Sequence, residues 1–312
     1  MSVFIFTLKK VFPLALYIGL GMLLGKTDLM DKKFALDMNT FVFRVLMPIN
    51  IFLSTSKNIH MSAPFLRLAL FAVISILATC LISALFYRKR NIGDKQKTVL
   101  IQASFRANFG LFGIALSNSL LGSESQGITE GLMLFTIPLY NILTIILFSA
   151  YGEEKSSIKD IVINILKNPL VLGILFGYIA NVINLTLPAL IENPLRNLSS
   201  AASPLALVAL GSGFTVGDRG KYGKYLDLAI ISRLLIVPVI FLGLALMLGF
   251  RGEYMVALLC LLASPVAVAS YTMAETMGQD GKLAGQILAY TSVFCAFSLS
   301  FFIYILKFFS FI

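Results

Sequence analysis

The feature that most constrains this chain is a series of ten apolar segments, each about twenty residues long, separated by short polar stretches. A helix of about 20 residues spans the hydrocarbon core of a bilayer, which is about 30 Å thick. Of the 312 residues, 58% are hydrophobic and only 13% are charged, which is more apolar surface than a water-soluble domain can bury. The sequence therefore predicts an all-α integral membrane protein. The segments lie near residues 6–25, 36–55, 63–87, 97–121, 128–150, 166–185, 190–214, 225–249, 253–277 and 284–308.

The basic residues indicate how these segments cross the membrane. The net charge is +10, but Lys and Arg occur in short runs between apolar segments, a pattern of topology determinants that excludes a nucleic-acid partner. With both termini placed outside, the inner loops carry fifteen Lys and Arg residues and the outer side carries seven. This bias fits the positive-inside rule. We expect a multi-pass protein of the cell membrane, in contact with the lipid bilayer, with both termini outside.

The two halves of the chain show an internal repeat at an offset of 156 residues. The offset aligns Pro13 with Pro169, Gly21 with Gly177, Pro48 with Pro204 and Gly122 with Gly278. The alternative explanation is that these residues match by chance in a composition dominated by a few apolar residue types. Each half contains five segments, an odd number, so the second copy is expected to be inverted in the membrane. The predicted organisation is a first five-helix repeat (1–150), a short cytoplasmic linker (151–160) and a second, inverted repeat (161–312).

Polar residues interrupt the fourth and ninth segments. Asn108 lies eleven residues beyond Lys97, or ~16 Å into the membrane, which is close to the midplane. Pro265 occupies the middle of the ninth segment, where proline removes a helical hydrogen bond. Asn108 and Ser264 are both good N-cap residues, so each is expected to begin a second half-helix. Phe109 and Pro265 would then stand in the first turn.

Two half-helices that begin at the midplane predict an anion-binding site. Helix N-termini carry unpaired N–H groups and the positive end of the helix dipole. Unpaired backbone at that depth is tolerated only beside protein or a water-filled cavity. The alternative is that Asn108 only hydrogen-bonds a neighbouring helix, as polar membrane residues often do. Asn50 and Ser54, one turn apart on the second segment, are further candidates to face such a cavity.

Arg106 stands two residues before the predicted break in the fourth segment. A charge at this depth costs at least about 2.5 kcal/mol on insertion scales, so it requires a partner or water. Glu275 lies ~15 Å further toward the inner face if the ninth segment is straight, which makes a direct pair strained. The remaining partners are backbone carbonyls at the end of the first half-helix, the inner surface reached by snorkelling, or the carboxylate of a substrate.

Four stretches of the sequence resemble the auxin efflux carrier family, which includes plant carriers and many bacterial relatives. They are NFGLFGIAL (108–116), ASPVAVASYTMAETMGQD (263–280), IPLYNILTIILFSAYG (137–152) and VLMPINIFLS (45–54). The resemblance implies ten helices in two inverted repeats, with broken fourth and ninth helices that cross, and usually a homodimer. It also implies a scaffold of helices 1, 2, 6 and 7 and a transport domain of helices 3–5 and 8–10 that slides against it.

The resemblance further implies that the crossover holds the carboxylate of a substrate, with a tyrosine of the fifth helix facing it. The candidate substrate-binding residues are Asn50, Ser54, Arg106, Asn108, Phe109, Tyr140, Asn141, Ser264 and Pro265. Two departures argue against auxin itself: Ala107 stands where the plant carriers have proline, and their long cytoplasmic loop is here about ten residues. Malate, malonate and similar organic acids are associated with the bacterial relatives.

The expected function is secondary transport of a small organic anion by elevator-type alternating access, with H⁺ or Na⁺ as a coupling ion. The alternative is a sodium-coupled symporter of the bile-acid carrier type, in which Glu275, Gln279 and Gln286 would contribute to cation sites. No cofactor or metal ion is expected, because the single histidine, His60, has no partners from which to build a cluster. An enzyme is not expected either, since G-x-S-x-G, H-E-x-x-H and paired intramembrane aspartates do not occur.

Overall fold

The structure is a computed structural model, and it describes residues 3–27, 29–58, 62–121, 126–151, 163, 167, 169–212 and 223–312. In these ranges the regular structure is helical, with one isolated antiparallel bridge between Ala107 and Val266. The predicted linker at 151–160 lies outside them except for Tyr151, and His60 also lies outside.

The helices are numbered in chain order, and several contain a π-helical turn. They are α1 (Val3–Leu24), α2 (Lys32–Phe41, the π turn Val42–Leu46 and Met47–Asn58), α3 (Ala63–Arg88), α4 (Asp94–Phe105), α5 (the π turn Phe109–Gly113 and Ile114–Leu121), α6 (Gln126–Tyr151), α7 (Pro169–Val182), α8 (Ala189–Ser200), α9 (Ala202–Ser212), α10 (Gly223–Ile231, the π turn Ser232–Ile236 and Val237–Met247), α11 (Gly252–Leu262), α12 (Val268–Thr276) and α13 (Gly281–Phe308).

Several helices have the length and composition that membrane crossing requires. Five segments of the described chain are long and apolar enough, and they are Lys33–Leu53, Ala63–Arg88, Gly127–Ala150, Gly223–Met247 and Gly281–Phe308. Shorter apolar helices are Phe109–Leu121, Pro169–Val182 and Gly252–Leu262. These lengths match a bilayer core of about 30 Å, either in one helix or in two that follow each other. The predicted class, an all-helical multi-pass membrane protein, is therefore confirmed.

Three of the predicted segments are divided in the structure. The fourth forms α4 and α5, and the ninth forms α11 and α12, with the interruptions at the polar residues described above. The seventh predicted segment also divides, because α8 ends at Ser200 and α9 begins at Ala202. The break in the seventh segment was not expected from its sequence.

Apolar side chains fill the interior around the interruption between α4 and α5. Phe105, Phe109 and Phe112 flank it, and each is almost completely buried. Large apolar side chains on the outer surface, such as Leu70 and Leu81 of α3, are exposed. Because lipid tails are as apolar as leucine, a membrane protein can present such residues to its surroundings without cost.

Two pairs of helices approach each other closely at glycine residues. A Cβ atom on Gly21 in α1 would overlap the carbonyl oxygen of Val208 in α9, and one on Gly177 in α7 would lie 2.9 Å from the carbonyl oxygen of Phe52 in α2. Glycine permits this because no side chain separates the two backbones. The offset of 156 residues that relates Gly21 to Gly177 also relates Phe52 to Val208. The two contacts therefore occupy equivalent places in the two halves of the chain.

Hydrogen bonds between polar helix ends place the start of α4 beside the end of α12. The side chain of Gln96 donates to the carboxylate of Asp280 at 2.6 Å, and the hydroxyl of Thr98 donates to the side-chain oxygen of Gln279 at 2.7 Å. Asp280 also caps α13 by accepting from the backbone N–H of Leu283 at 2.9 Å. Since α4 ends at its interruption and α12 begins at its own, both helices lie on the same side of the two breaks.

Candidate functional site

The two helix breaks lie side by side and are joined by backbone hydrogen bonds. The connection between α4 and α5 runs antiparallel to the connection between α11 and α12. The N–H of Asn108 donates to the carbonyl oxygen of Pro265 at 2.7 Å, and the N–H of Ala267 donates to that of Arg106 at 3.2 Å. The bridge satisfies backbone groups that the interrupted helices leave unpaired. We call this region the crossover.

Neither of the predicted N-caps forms at the crossover. Asn108 stands at the N-cap position of α5, but its side chain makes no capping hydrogen bond. The hydroxyl of Ser264 instead donates to the carbonyl oxygen of Cys260, one turn earlier in α11, and α12 begins only at Val268. The predicted start of α5 at Asn108, with Phe109 in its first turn, is therefore confirmed, although the side-chain cap is absent. The predicted start at Ser264 and the predicted place of Pro265 in the first helical turn are wrong. The physical reason is that the bridge holds the chain on both sides of Pro265 and delays the start of α12.

Arg233, in the π-helical turn of α10, binds the ends of α4 and α11. Its side chain is only 1% exposed. Its Nε donates to the carbonyl oxygen of Ser264 at 2.9 Å, Nη1 to that of Ser104 at 3.1 Å, and Nη2 to that of Leu261 at 3.0 Å. Carbonyls at a helix C-terminus lack intrahelical donors and lie at the negative end of the helix dipole. A single guanidinium group therefore caps two helices.

Arg106, the second buried arginine of the crossover, binds α6. It is 6% exposed. Its Nη1 donates to the carbonyl oxygen of Tyr140 at 3.2 Å and to the hydroxyl of Thr144 at 2.9 Å, and its Nη2 donates to the side-chain oxygen of Asn141 at 2.8 Å. The carbonyl cluster that the sequence suggested as a partner for Arg106 is bound by Arg233 instead. Snorkelling of Arg106 to the inner surface is also wrong, because its guanidinium is buried against α6.

The hydroxyl of Tyr140 lies close to the backbone amide of Ala107 and within electrostatic range of the guanidinium groups of Arg106 and Arg233. The protein atoms that accept hydrogen bonds from these two groups are all neutral oxygens. Two ion pairs within the described ranges, Lys97–Asp94 on α4 and Arg196–Glu192 on α8, involve other residues. The crossover therefore carries two buried positive charges that no described carboxylate neutralises.

The side chain of Asn108 adds an unpaired hydrogen-bond donor to this region. Asn108 is 3% exposed, and its amide nitrogen has no hydrogen-bond partner among the residues that the structure describes. A buried donor without an acceptor costs about 1–3 kcal/mol. The crossover thus contains an unpaired amide N–H donor and two uncompensated guanidinium groups, which are groups that bind the oxygen atoms of an anion.

A family model for membrane transport proteins matches residues 6–303, almost the entire chain. This chain belongs to that family, the family of the auxin efflux carriers. The resemblance found in the sequence is therefore confirmed. The transporter is 25% identical over 284 residues to an uncharacterized transporter of Methanocaldococcus jannaschii, with 85% of this chain and 88% of the relative covered. It is 25% identical over 255 residues to an uncharacterized transporter of Methanothermobacter thermautotrophicus, with 80% and 82% covered.

The remaining candidate residues of this transporter occupy different places. Asn141 is at the crossover, where its side-chain oxygen accepts from Arg106. Phe109 is buried in the apolar core, and Asn50 of α2 has a buried side-chain oxygen without a partner among the described residues. The side chains of Ser54 and Glu275 lie outside what the structure describes.

Three residues of the crossover were not recognised from the sequence of the transporter. As described above, Arg233 binds the ends of α4 and α11, and Thr144 accepts a hydrogen bond from Arg106. The hydroxyl of Thr291 in α13 accepts a hydrogen bond from the backbone N–H of Val266 at 3.2 Å. Arg233 carried a usable signal, since a charge inside an apolar span requires a partner. Thr144 and Thr291 carried none, because a threonine inside a helix usually bonds to its own backbone.

Proposed function

We propose that this transporter carries a small organic anion, such as a dicarboxylate of the malate or malonate type, and holds it at the crossover. The observation that carries this proposal is the pair of buried guanidinium groups of Arg106 and Arg233, whose protein partners are all neutral oxygens. Burying an uncompensated charge is costly, so a bound carboxylate would stabilise the site. Asn108 and Tyr140 supply a donor amide and a hydroxyl beside the same charges.

The helix ends at the crossover favour an anion in the same way. α5 and α12 both begin there, so the positive ends of their dipoles and their first N–H groups converge on it. The negative ends of α4 and α11 also meet at the crossover, but the guanidinium of Arg233 covers their carbonyls. The net result is a local field that attracts negative charge.

We propose elevator-type alternating access by a ten-helix inverted repeat as the mechanism. The paired contacts Gly21–Val208 and Gly177–Phe52, related by one offset of 156 residues, support the repeat. In this proposal a transport domain that contains the crossover moves against a scaffold formed by the first, second, sixth and seventh helices of the repeat. We also propose that the transporter lies in the cell membrane with both termini outside and that it forms a homodimer.

Arg233 favours transport without Na⁺ at the crossover. In transporters with broken helices, backbone carbonyls at the C-terminal ends of half-helices coordinate the coupling cation. Here the carbonyls of Ser104, Leu261 and Ser264 already accept hydrogen bonds from a fixed positive charge. We infer that the side chain of Arg233 takes the role of that cation.

The test is flux into liposomes that contain the purified transporter, with labelled malate, malonate and indole-3-acetate offered separately. We expect uptake of at least one dicarboxylate, no requirement for Na⁺, and competition among the acids that bind. Asn108→Ala should weaken binding at least about tenfold, which corresponds to 1.4 kcal/mol, the size of one lost hydrogen bond to a charged group. Asn118→Ala is the control, because Asn118 has a buried side-chain oxygen without a partner among the described residues but lies ten residues, ~15 Å, further along α5. Normal anion affinity in Asn108→Ala would refute this location of the site.

A further inference from the structure

Glu130, in the second turn of α6, is a buried acid outside the crossover. Its side chain is 1% exposed, and neither carboxyl oxygen has a hydrogen-bond partner among the described residues. Eleven residues, about three helical turns, separate it from Asn141, and fourteen separate it from Thr144. Glu130 therefore lies on roughly the same face of α6 as the two side chains that bind Arg106, ~16 Å from the nearer of them along the helix axis.

The described surroundings of Glu130 offer no ion-pair partner. The helices packed against α6 are α2, α3, α4, α5, α7 and α11. Among the described residues, the carboxyl of Glu130 forms no ion pair and no hydrogen bond. The described titratable groups on those helices are Lys33, Asp37, Arg44, Arg67, Cys80, Tyr87, Arg88, Asp94, Lys95, Lys97, Tyr178, Glu253, Tyr254 and Cys260, with Arg106 and Tyr140 at the crossover itself.

A carboxylate cannot remain ionised in such a place. Removing an unpaired charge from water costs several kcal/mol even after the protein relaxes, so a buried acid without partners takes up a proton. The repeat offers an independent sign of the same preference, since the offset of 156 residues carries Glu130 onto Gln286 of α13. Gln286 is also buried, and its side chain has the same length but no charge. The fold accommodates a neutral side chain of this shape at both places.

We propose that Glu130 is the proton-binding site that couples anion transport to the proton gradient. In the conformation described here Glu130 and the crossover are both closed off from water, and the carboxyl group carries a proton. When the transport domain moves and α6 becomes accessible to water, the O–H bond breaks and the proton leaves to water, and a carboxylate remains. One proton thus crosses the membrane with one anion. This inference rests on the proposed function of the crossover.

Infrared spectroscopy tests the protonation state without any transported substrate. The purified transporter at neutral pH should show the C=O stretching band of a protonated carboxyl group in an apolar environment, and Glu130→Gln should lack it. Glu192→Gln is the control, because Glu192 forms an ion pair with Arg196 at 2.7 Å; this variant should keep the band. A band that persists in Glu130→Gln would overturn the proposal, whatever the transporter carries.

Flux in liposomes tests the coupling, with labelled malate as the probe. For one proton per anion, and with the membrane potential clamped at zero, a gradient of one pH unit should drive about tenfold accumulation at equilibrium in the wild type. Glu130→Gln should bind and exchange malate but show an accumulation ratio of about 1, whereas Glu130→Asp should retain accumulation. Proton-driven accumulation by Glu130→Gln equal to the wild type would overturn the role of Glu130 and leave the anion site standing. Absence of organic-acid flux in the wild type would instead contradict the proposed function, and the infrared band would then decide the protonation of Glu130 alone.

Discussion

Replacing Arg233 with lysine removes the fork of the guanidinium group and keeps its positive charge. Arg233 reaches three carbonyl oxygens, those of Ser104, Leu261 and Ser264, from three different nitrogen atoms at 2.9 to 3.1 Å. A lysine has one nitrogen atom, which cannot occupy the three nitrogen positions from which the guanidinium reaches these acceptors. We expect two of the three carbonyls to lose their donor.

The size of the effect follows from these contacts. Each buried acceptor left without a donor costs about 1–3 kcal/mol, so two of them cost about 2–6 kcal/mol. The desolvation cost of a buried charge remains in this comparison, because lysine is also charged and its ammonium is more strongly hydrated than a guanidinium. A neutral replacement such as methionine would remove that cost and obscure the result. The predicted destabilisation is large for one conservative substitution.

The assay is thermal unfolding of the detergent-solubilised transporter, followed by size-exclusion chromatography after heating. Arg44→Lys is the control, because Arg44 also lies in a π-helical turn, that of α2, but is exposed. We expect Arg44→Lys to unfold at the wild-type temperature and Arg233→Lys to unfold several degrees lower. Equal unfolding temperatures for the two variants would refute the conclusion that Arg233 caps α4 and α11.

Three further predictions concern helix packing, the crossover and the topology. Gly21→Ala should destabilise the transporter by about 1–3 kcal/mol, because its Cβ would overlap the backbone of α9, whereas Gly19→Ala, with nothing within 4 Å, should be neutral or slightly stabilising in the same thermal assay. Arg106→Lys should lower organic-anion affinity in a binding assay, since lysine keeps the charge but loses the fork, and lowered stability with unchanged affinity would show a structural role alone. A cysteine at position 127 should react with an impermeant reagent from outside and one at position 155 should not; the reverse pattern would contradict outer termini.

The interruptions in the helices were predictable because their causes are local. A proline removes a hydrogen bond wherever it stands in a helix interior, and Pro265 stands in the middle of an apolar segment. The detailed chemistry of the breaks was not predictable, because it depends on residues distant in the chain. Asn108 was expected to cap its own helix, but its backbone N–H is held by Pro265, 157 residues later. Local capping rules cannot anticipate a bridge between two segments.

The roles of the two arginines show the same limit. The sequence required a partner for any charge within a span, and a carbonyl cluster at a broken helix was a sound physical expectation. The cluster is real but belongs to Arg233, whose place beside Ser104 follows from the packing of α10 against α4. Arg106 instead binds α6, including Thr144, thirty-eight residues further along the chain. The sequence shows that a charge within a span needs a partner, but the tertiary structure determines which residue that partner is.

The glycine contact between α1 and α9 has a consequence for synthesis of the protein. Gly21 is made about 190 residues before its backbone partners, Val208 and Gly211. At about 5–20 residues per second, α1 waits roughly 10–40 s before the surface it packs against leaves the ribosome. During that interval the exposed glycine face of α1 can pack against a helix that is not its final partner. Accurate assembly therefore depends on keeping the first helix apart from other helices until the second half of the chain has entered the membrane.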